Sequence, residues 1–404
     1  MNQTLDELQM VHEEEMKNYD RIQVQVMDVM HRHGCKIIQT PTFEDYDTYG
    51  KYFPALQKEM VKTIDTDGSV LVMRPDVTLP LVKTVAKEYP NPKQLLKFGY
   101  VSMVFREYYG KSTHGKYFLQ SGIEVLGDDS PECDGEVIVT AVEFLESLGI
   151  RDMRIDLGTV AYMDALFDEL HLSGEELLKI REYLEKRNLV AFSALADRLS
   201  ITKLQREVLL SLPRLFGSYE ETLAKAKDLC LNQNMASALH RLEKVYAYLS
   251  AAGYEDKVQM DLGFTSHMGY YTDLVFKIYA DGALYSLING GRYDDLSDQF
   301  HVSRPACGFG MNMNLLYEFM ADAGMLESMR PSVDLAIVYD TAAPELIRDL
   351  TEWRRKGYSV LGANAKNDIS PEDYLLVAYY KNGTYEIGGK TLTKEEIETK
   401  LGGL

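Results

Sequence analysis

Two strand-turn-strand patterns lie far apart in this chain, and the stretch between them, about residues 159–255, is patterned for helix and rich in charge. The first pattern runs Val61 to Ile64, turns at Asp67-Gly68 and returns over Val70 to Met73. The second runs Leu274 to Tyr279, turns at Asp281-Gly282 and returns over Leu284 to Ile288. Asp-Gly between apolar-alternating runs is a hairpin signal, because glycine takes the positive φ that a tight turn needs. Hairpins build antiparallel sheet. The helical stretch, with Glu175 to Leu189 and Tyr219 to Leu249 as its clearest periodic runs, returns to a strand at Lys257 to Leu262. This order predicts an antiparallel-sheet domain with a helical module inserted in it.

The flanks complete an α+β architecture. Met16, Tyr19, Ile22, Val26 and Met30 recur at three- and four-residue steps and stop at Gly34, with His31, Arg32 and His33 in the last turn, which predicts an N-terminal helix followed by a strand over Lys36-Ile37-Ile38. Glu327 to Pro331 reads as a linker. Beyond it Val333 to Tyr339 reads as a strand, Pro344 to Lys356 as a helix, Tyr374 to Tyr380 as a strand and Lys394 to Leu401 as a short last helix. Two domains are expected, 1–325 with its helical insertion and a small α/β domain over 331–404.

Composition narrows the function. A formal charge of −19 weighs against a nucleic-acid partner, since phosphate binding needs concentrated Lys and Arg. Residues 331–404 hold 9 Lys+Arg against 12 Asp+Glu, a net of −3. No apolar run approaches the length of a membrane span and no charged-then-apolar leader opens the chain, so a soluble, cytoplasmic protein is expected. The four cysteines, Cys35, Cys133, Cys230 and Cys307, lie far apart without C-x-x-C pairing and are expected as reduced core thiols; no metal and no cofactor is expected.

Three stretches carry chemistry. In Arg74-Pro75-Asp76-Val77-Thr78 the proline fixes the backbone at a strand end, and Asp76 and Thr78 are expected to project to one side by strand alternation. Gln120 and Glu124 sit four apart on the apolar run Lys116 to Val125, so both face one side, where two buried polar groups are costly unless something pairs with them. Gly290-Gly291-Arg292-Tyr293-Asp294 offers close backbone approach at Gly290 and Gly291 with an aromatic wall at Tyr293.

In combination and order, these stretches resemble the catalytic core of histidyl-tRNA synthetase, a class II aminoacyl-tRNA synthetase, over residues 1–325. The whole pattern most closely resembles the family's catalytically inactive paralogues, the regulatory subunits of ATP phosphoribosyltransferase. The resemblance implies an antiparallel sheet of six or seven strands flanked by helices, and a dimer built on about Glu13 to Pro41. It also implies a histidine pocket in which Asp76 and Thr78 hold the α-ammonium, Gln120 the amino-acid main chain and Glu124 an imidazole N–H. Tyr270, Tyr271 and Tyr293 would wall that pocket. Arg106, after Phe105, is either a carboxylate-binding or a structural arginine.

Where the family carries arginines around the triphosphate, this chain departs from it. Ser266 stands at the arginine of R-G-L-D-Y-Y, and Asn314-Leu315 at the Glu-Arg of G-F-A-M-G-L-E-R. Loss of such a transition-state cation costs about 10²–10³ in rate, and leucine offers no charged fork. His267 is no substitute, because a neighbour along a strand points the other way. The resemblance therefore implies a non-catalytic regulatory subunit that binds histidine and partners the short-form catalytic ATP phosphoribosyltransferase, as a homodimer core within a hetero-oligomer. The alternative is a divergent histidyl-tRNA synthetase, and a degenerate synthetase-like protein with some other partner stays open.

Overall fold

The computed structural model describes residues 13–52, 60–106, 108–109, 114–263, 270–326 and 331–403. The chain forms two units, one running to Leu326 and one from Glu327.

The first unit is built on a sheet of nine strands among the described residues. Its centre is an antiparallel run of Leu96–Val104, Phe118–Leu126, Ala306–Asn312, Ile288–Arg292, Leu274–Ala280 and Met153–Thr159, each paired with the next. Parallel strands extend it on both sides: Lys36–Ile37 joins Leu96–Val104, and Val258–Asp261 joins Met153–Thr159. The sheet is therefore mixed and larger than the six or seven antiparallel strands expected. The sequence predicts both strands, but periodicity does not report the direction in which they pair.

The helical module is attached more closely than its pattern suggests. A three-residue strand, Phe216–Ser218, interrupts the helices and pairs with Val258–Asp261 at the sheet edge. Other helices of the module begin at side-chain caps, though Tyr219–Asp228, which follows the strand, does not. Ser173 with Glu176 and Thr202 with Gln205 form reciprocal capping boxes, and Asn232 caps Gln233–Ala251. Each cap satisfies backbone N–H groups that the helix cannot, for about 1 kcal/mol.

Strand alternation gives the sheet two faces with different tasks. Ile123, Val125, Phe309 and Phe276 lie in the main core, under the helices Glu13–Arg32 and Pro131–Ser147, with Phe144 edge-on to Phe309 at 5.0 Å. Gln120, Gly122 and Glu124 face the other way. Helix Glu13–Arg32 buries Ile22, Val26, Val29 and Met30, but Met16 lies exposed. Its chain turns at Gly34 with φ +74°.

The first hairpin forms as patterned, Lys62–Ile64 against Val70–Met73, with Gly68 at φ +88°. The second differs. Its return strand starts at Ile288, so Leu284 to Leu287 lie in the loop and Gly290-Gly291-Arg292 lie inside the strand rather than after it.

In the second unit the order is Val360–Asn364, Val333–Tyr339, Tyr374–Lys381, Thr384–Ile387, Lys390–Leu392, the first three parallel and the rest antiparallel. Trp353 on helix Pro344–Arg355 is fully buried against Tyr385, and its indole N–H donates to Glu398 on helix Lys394–Leu401.

Candidate functional site

Asp76, Thr78, Arg106, Gln120, Glu124, Tyr270, Tyr271 and Tyr293 all line one cavity of about 260 Å³, on the sheet face opposite the helices. This is below the range of about 300–1,000 Å³ for pockets that take drug-sized molecules, and suits a molecule of amino-acid size.

Asp76 and Thr78 reach the cavity by a route other than strand alternation. The strand Val70–Met73 ends, and helix Thr78–Glu88 begins at Thr78. Asp76 Oδ1 accepts the backbone N–H of Leu79 at 2.9 Å, which fixes the carboxyl where it lines the pocket. Arg74 is a clamp, not a ligand group. It is buried and donates to the carbonyls of Met103, Thr40 and Pro41, fixing the approach to this turn.

Glu124 is 2% exposed. The Thr78 hydroxyl donates to its Oε1 at 2.8 Å, and the Tyr293 hydroxyl donates to Oε2. Burial pushes its carboxyl up to about 8 against the pull of those two hydroxyls, with the Asp76 charge adding to the rise. Asp76 is pushed up to about 6, again by burial, and the Leu79 N–H and the Arg106 charge hold it down. Two carboxyls thus share a small, buried space, and each becomes a better anion if a cation enters.

Two acceptors in this space have no hydrogen-bond partner among the described residues, Asp76 Oδ2 and Gln120 Oε1. Unmet buried acceptors are rare in folded proteins and call for a donor. A molecule with an ammonium and a ring N–H supplies donors of the right kind.

The tyrosines pack as a wall, Tyr270 to Tyr271 at 4.9 Å and Tyr270 edge-on to Tyr293 at 5.7 Å. Burial raises all three hydroxyls, so they act as neutral hydrogen-bonding groups. The Arg106 guanidinium lies 5.5 Å from the Phe118 ring centroid and feels the Asp76 charge.

The glycines divide in a way the sequence reading did not anticipate. Gly290 faces the core, where a Cβ would meet the Phe276 ring at 2.5 Å. Gly291 lies beneath Tyr271, whose ring a Cβ would meet at 2.8 Å. Neither lines the cavity; the backbone approach expected of them belongs to Gly308 and Gly310, which do line it. Their absent side chains leave room for Glu124 and Gln120, as a Cβ at either would overlap those groups. The alternation in Gly308-Phe309-Gly310 was the available signal.

The rim is neutral. Ser286, Asn289, Asn312 and Leu315 line it. Asn312 caps helix Met313–Asp322, and Asn314 accepts the backbone N–H of Leu119 at 2.9 Å. Ser266 and His267 lie outside the described residues. Arg292 turns away from the cavity into a buried ion pair with Asp134, whose other oxygen holds Arg241 of the inserted module at 2.6 Å.

This architecture, with buried carboxyls and tyrosines on the open face of the sheet, defines a class II synthetase-like body, and the comparisons agree. The family model for histidyl-tRNA synthetase matches residues 7–316. A solved protein from Bacillus halodurans, described as an ATP phosphoribosyltransferase regulatory subunit/histidyl-tRNA synthetase, superposes with a TM-score of 0.79 at 27% identity, over 92% of this chain and 96% of that one. The histidyl-tRNA synthetase of a Nostoc species shares the fold, with a TM-score of 0.68 at 19% identity over 95% of this chain and 96% of that one.

Among curated relatives, the ATP phosphoribosyltransferase regulatory subunit of Bacillus licheniformis is 32% identical over 97% of this chain and 96% of its own. That of Clostridium acetobutylicum is 34% identical over 72% of each. The chain belongs to the histidyl-tRNA synthetase family and, within it, to the ATP phosphoribosyltransferase regulatory subunits.

Proposed function

We propose that this chain is the non-catalytic regulatory subunit of ATP phosphoribosyltransferase, required for activity of the short catalytic subunit and for feedback control by histidine. The observation that carries this is a contrast within one cavity. Its buried end keeps the groups suited to an amino acid with a basic ring, Asp76, Thr78, Gln120, Glu124 and Tyr293, while its rim presents Leu315 where an activating enzyme needs a cation. Such a site can bind histidine and has little with which to stabilise a triphosphate.

In this reading the chain forms a homodimer core, through the region Glu13 to Pro41, inside a cytoplasmic hetero-oligomer that binds no nucleic acid. Histidine inhibits the distant reaction by binding one quaternary state more tightly than another, and a coupling of about 1–3 kcal/mol gives roughly 5- to 150-fold. The regulatory-subunit names of the relatives support it. The test is co-expression with the short catalytic subunit from the same source, then sizing and activity with and without histidine. A stable complex whose activity needs this chain and falls with histidine is the expected result. A catalytic subunit that is fully active and fully inhibited alone would overturn it.

A further inference from the structure

The two stretches that bring tyrosines into the pocket meet at one ion cluster outside it. Asp134, on helix Pro131–Ser147, is fully buried; its Oδ1 accepts from Arg292 at 2.6 Å and its Oδ2 from Arg241 at 2.6 Å. Arg292 precedes Tyr293 and Asp294 follows it. Arg292 Nη1 donates to Asp294 Oδ1 at 2.9 Å, and the same oxygen accepts the Ala306 N–H at 2.8 Å. Tyr293 thus stands between two anchored neighbours, with its own N–H on the Ala306 carbonyl and its hydroxyl on Glu124. The stretch through Tyr271 to Asp273 is tied to this one. The Thr272 N–H donates to the Arg292 carbonyl at 2.9 Å, and the Asp294 N–H donates to the Thr272 hydroxyl at 3.2 Å. Asp273 Oδ2 then lies 3.4 Å from Arg241 Nε, while its Oδ1 accepts the Thr159 hydroxyl at 2.7 Å. Both stretches therefore end on Arg241, which comes from helix Gln233–Ala251 of the inserted module.

We propose that Arg241 is a positioning residue for the histidine pocket: by bridging Asp134 and Asp273 it fixes the backbone that carries Tyr271 and Tyr293, so the inserted module sets how well the pocket holds its ligand. The inference rests on the function proposed above. A guanidinium is a planar fork with fixed donor directions, and a carboxylate gripped by a different fork at each oxygen has little freedom to rotate. Arg241 grips Asp134 through both Nε and Nη2, at 2.8 and 2.6 Å. Arg292 takes its direction from that carboxylate, and the Tyr293 backbone takes its place from Arg292. The Tyr293 hydroxyl is sensitive to such placement, because a hydrogen bond weakens steeply as it leaves the line of its acceptor. Arg241 is also the member that can be removed without stranding a buried charge. Asp134 keeps Arg292, whereas loss of Asp134 would leave the Arg292 guanidinium, 1% exposed, without its buried acid.

The test is histidine calorimetry on the full chain. Arg241→Met should weaken binding by roughly 2- to 30-fold, the range for residues that act on a site without touching its ligand. In a Tyr293→Phe background the same substitution should lose most of its effect, because the hydroxyl it positions is gone. A brace that only stabilises the fold would cost the same in both backgrounds. Arg241→Lys keeps the cation without the fork and should bind between parent and Arg241→Met; it carries the same comparison if Arg241→Met fails to fold by circular dichroism. Parent-like histidine affinity in the Arg241 variants overturns the inference alone. Equal losses with and without the Tyr293 hydroxyl also overturn it, in favour of a structural brace. If the parent chain binds no histidine, the function proposed above fails and this inference falls with it.

Discussion

Gly308 pairs with Glu124 across the central ladder, and the Glu124 carboxyl lies in the space that the missing side chain leaves. The acid is therefore held from three sides, by Thr78, by Tyr293 and by a strand on which any side chain at Gly308 would force it to shift.

Gly308→Ala should push the carboxyl off its two hydroxyl donors. Overpacking of this kind costs about 1–3 kcal/mol of stability, and the lost register of Glu124 should cost histidine binding as well. Denaturant unfolding and titration calorimetry check the two effects. A variant that binds histidine like the parent would place the ligand elsewhere.

Glu124→Ala should abolish the histidine response and leave the fold intact. A hydrogen bond to a charged group is worth on the order of 1.5–3 kcal/mol, so affinity should drop at least tenfold while the unfolding midpoint moves little. Equal affinities for parent and mutant would move the pocket away from this residue.

Proton release should accompany histidine binding. In the ligand-free chain both carboxyls have raised pKa values, so the stability their neutral forms contribute is complete below the ordinary carboxyl range and is lost as pH rises through about 6 for Asp76 and about 8 for Glu124. At pH near 5.5 histidine arrives with both ammonium and imidazolium, which favour the ionised acids. Calorimetry in buffers of unlike ionisation enthalpy should therefore detect release of more than about one proton per histidine, and Glu124→Gln should remove about one of them.

Histidine-driven pyrophosphate exchange should be absent. Leu315 lines the cavity where the family's triphosphate-gripping arginine stands, and losing one such cation costs about 10²–10³ in rate. Exchange at a rate ordinary for a synthetase would favour the divergent-synthetase reading.

His33 should make the fold more stable in mild acid than in mild base. Its Nδ1 and Nε2 each lie 3.0 Å from a carboxylate, Glu136 and Glu143, so both ring nitrogens must donate and the ring is best satisfied as imidazolium. The hydrogen bond to Glu136 leads in raising its pKa above 6.5, against the effect of burial. A raised pKa contributes stability that is complete below about pH 6.5 and fades as pH climbs through the folded value. His33→Gln should consequently lose more stability at pH 6 than at pH 9, measured by denaturant midpoints. Thr140, Lys97 and Tyr248 face the same cluster and stay unchanged in the comparison.

The sequence by itself determined the first hairpin and which residues of one central strand share a face. Period-two alternation on Phe118–Leu126 puts Gln120 and Glu124 on one face whatever lies around them, and the Asp67-Gly68 turn dictates its hairpin because only a positive φ closes it. What only the tertiary structure decided depends on partners distant in sequence. Asp76 meets Glu124 through a turn into a helix, not along a strand. Gly308 and Gly310, rather than Gly290 and Gly291, make the room, because register across strands decides which glycine faces which side chain, and register depends on the packing of both sheet faces at once. The acids' raised pKa values belong to the same category: a carboxyl is ordinary in sequence, and holds its proton above the usual range only when the fold buries it.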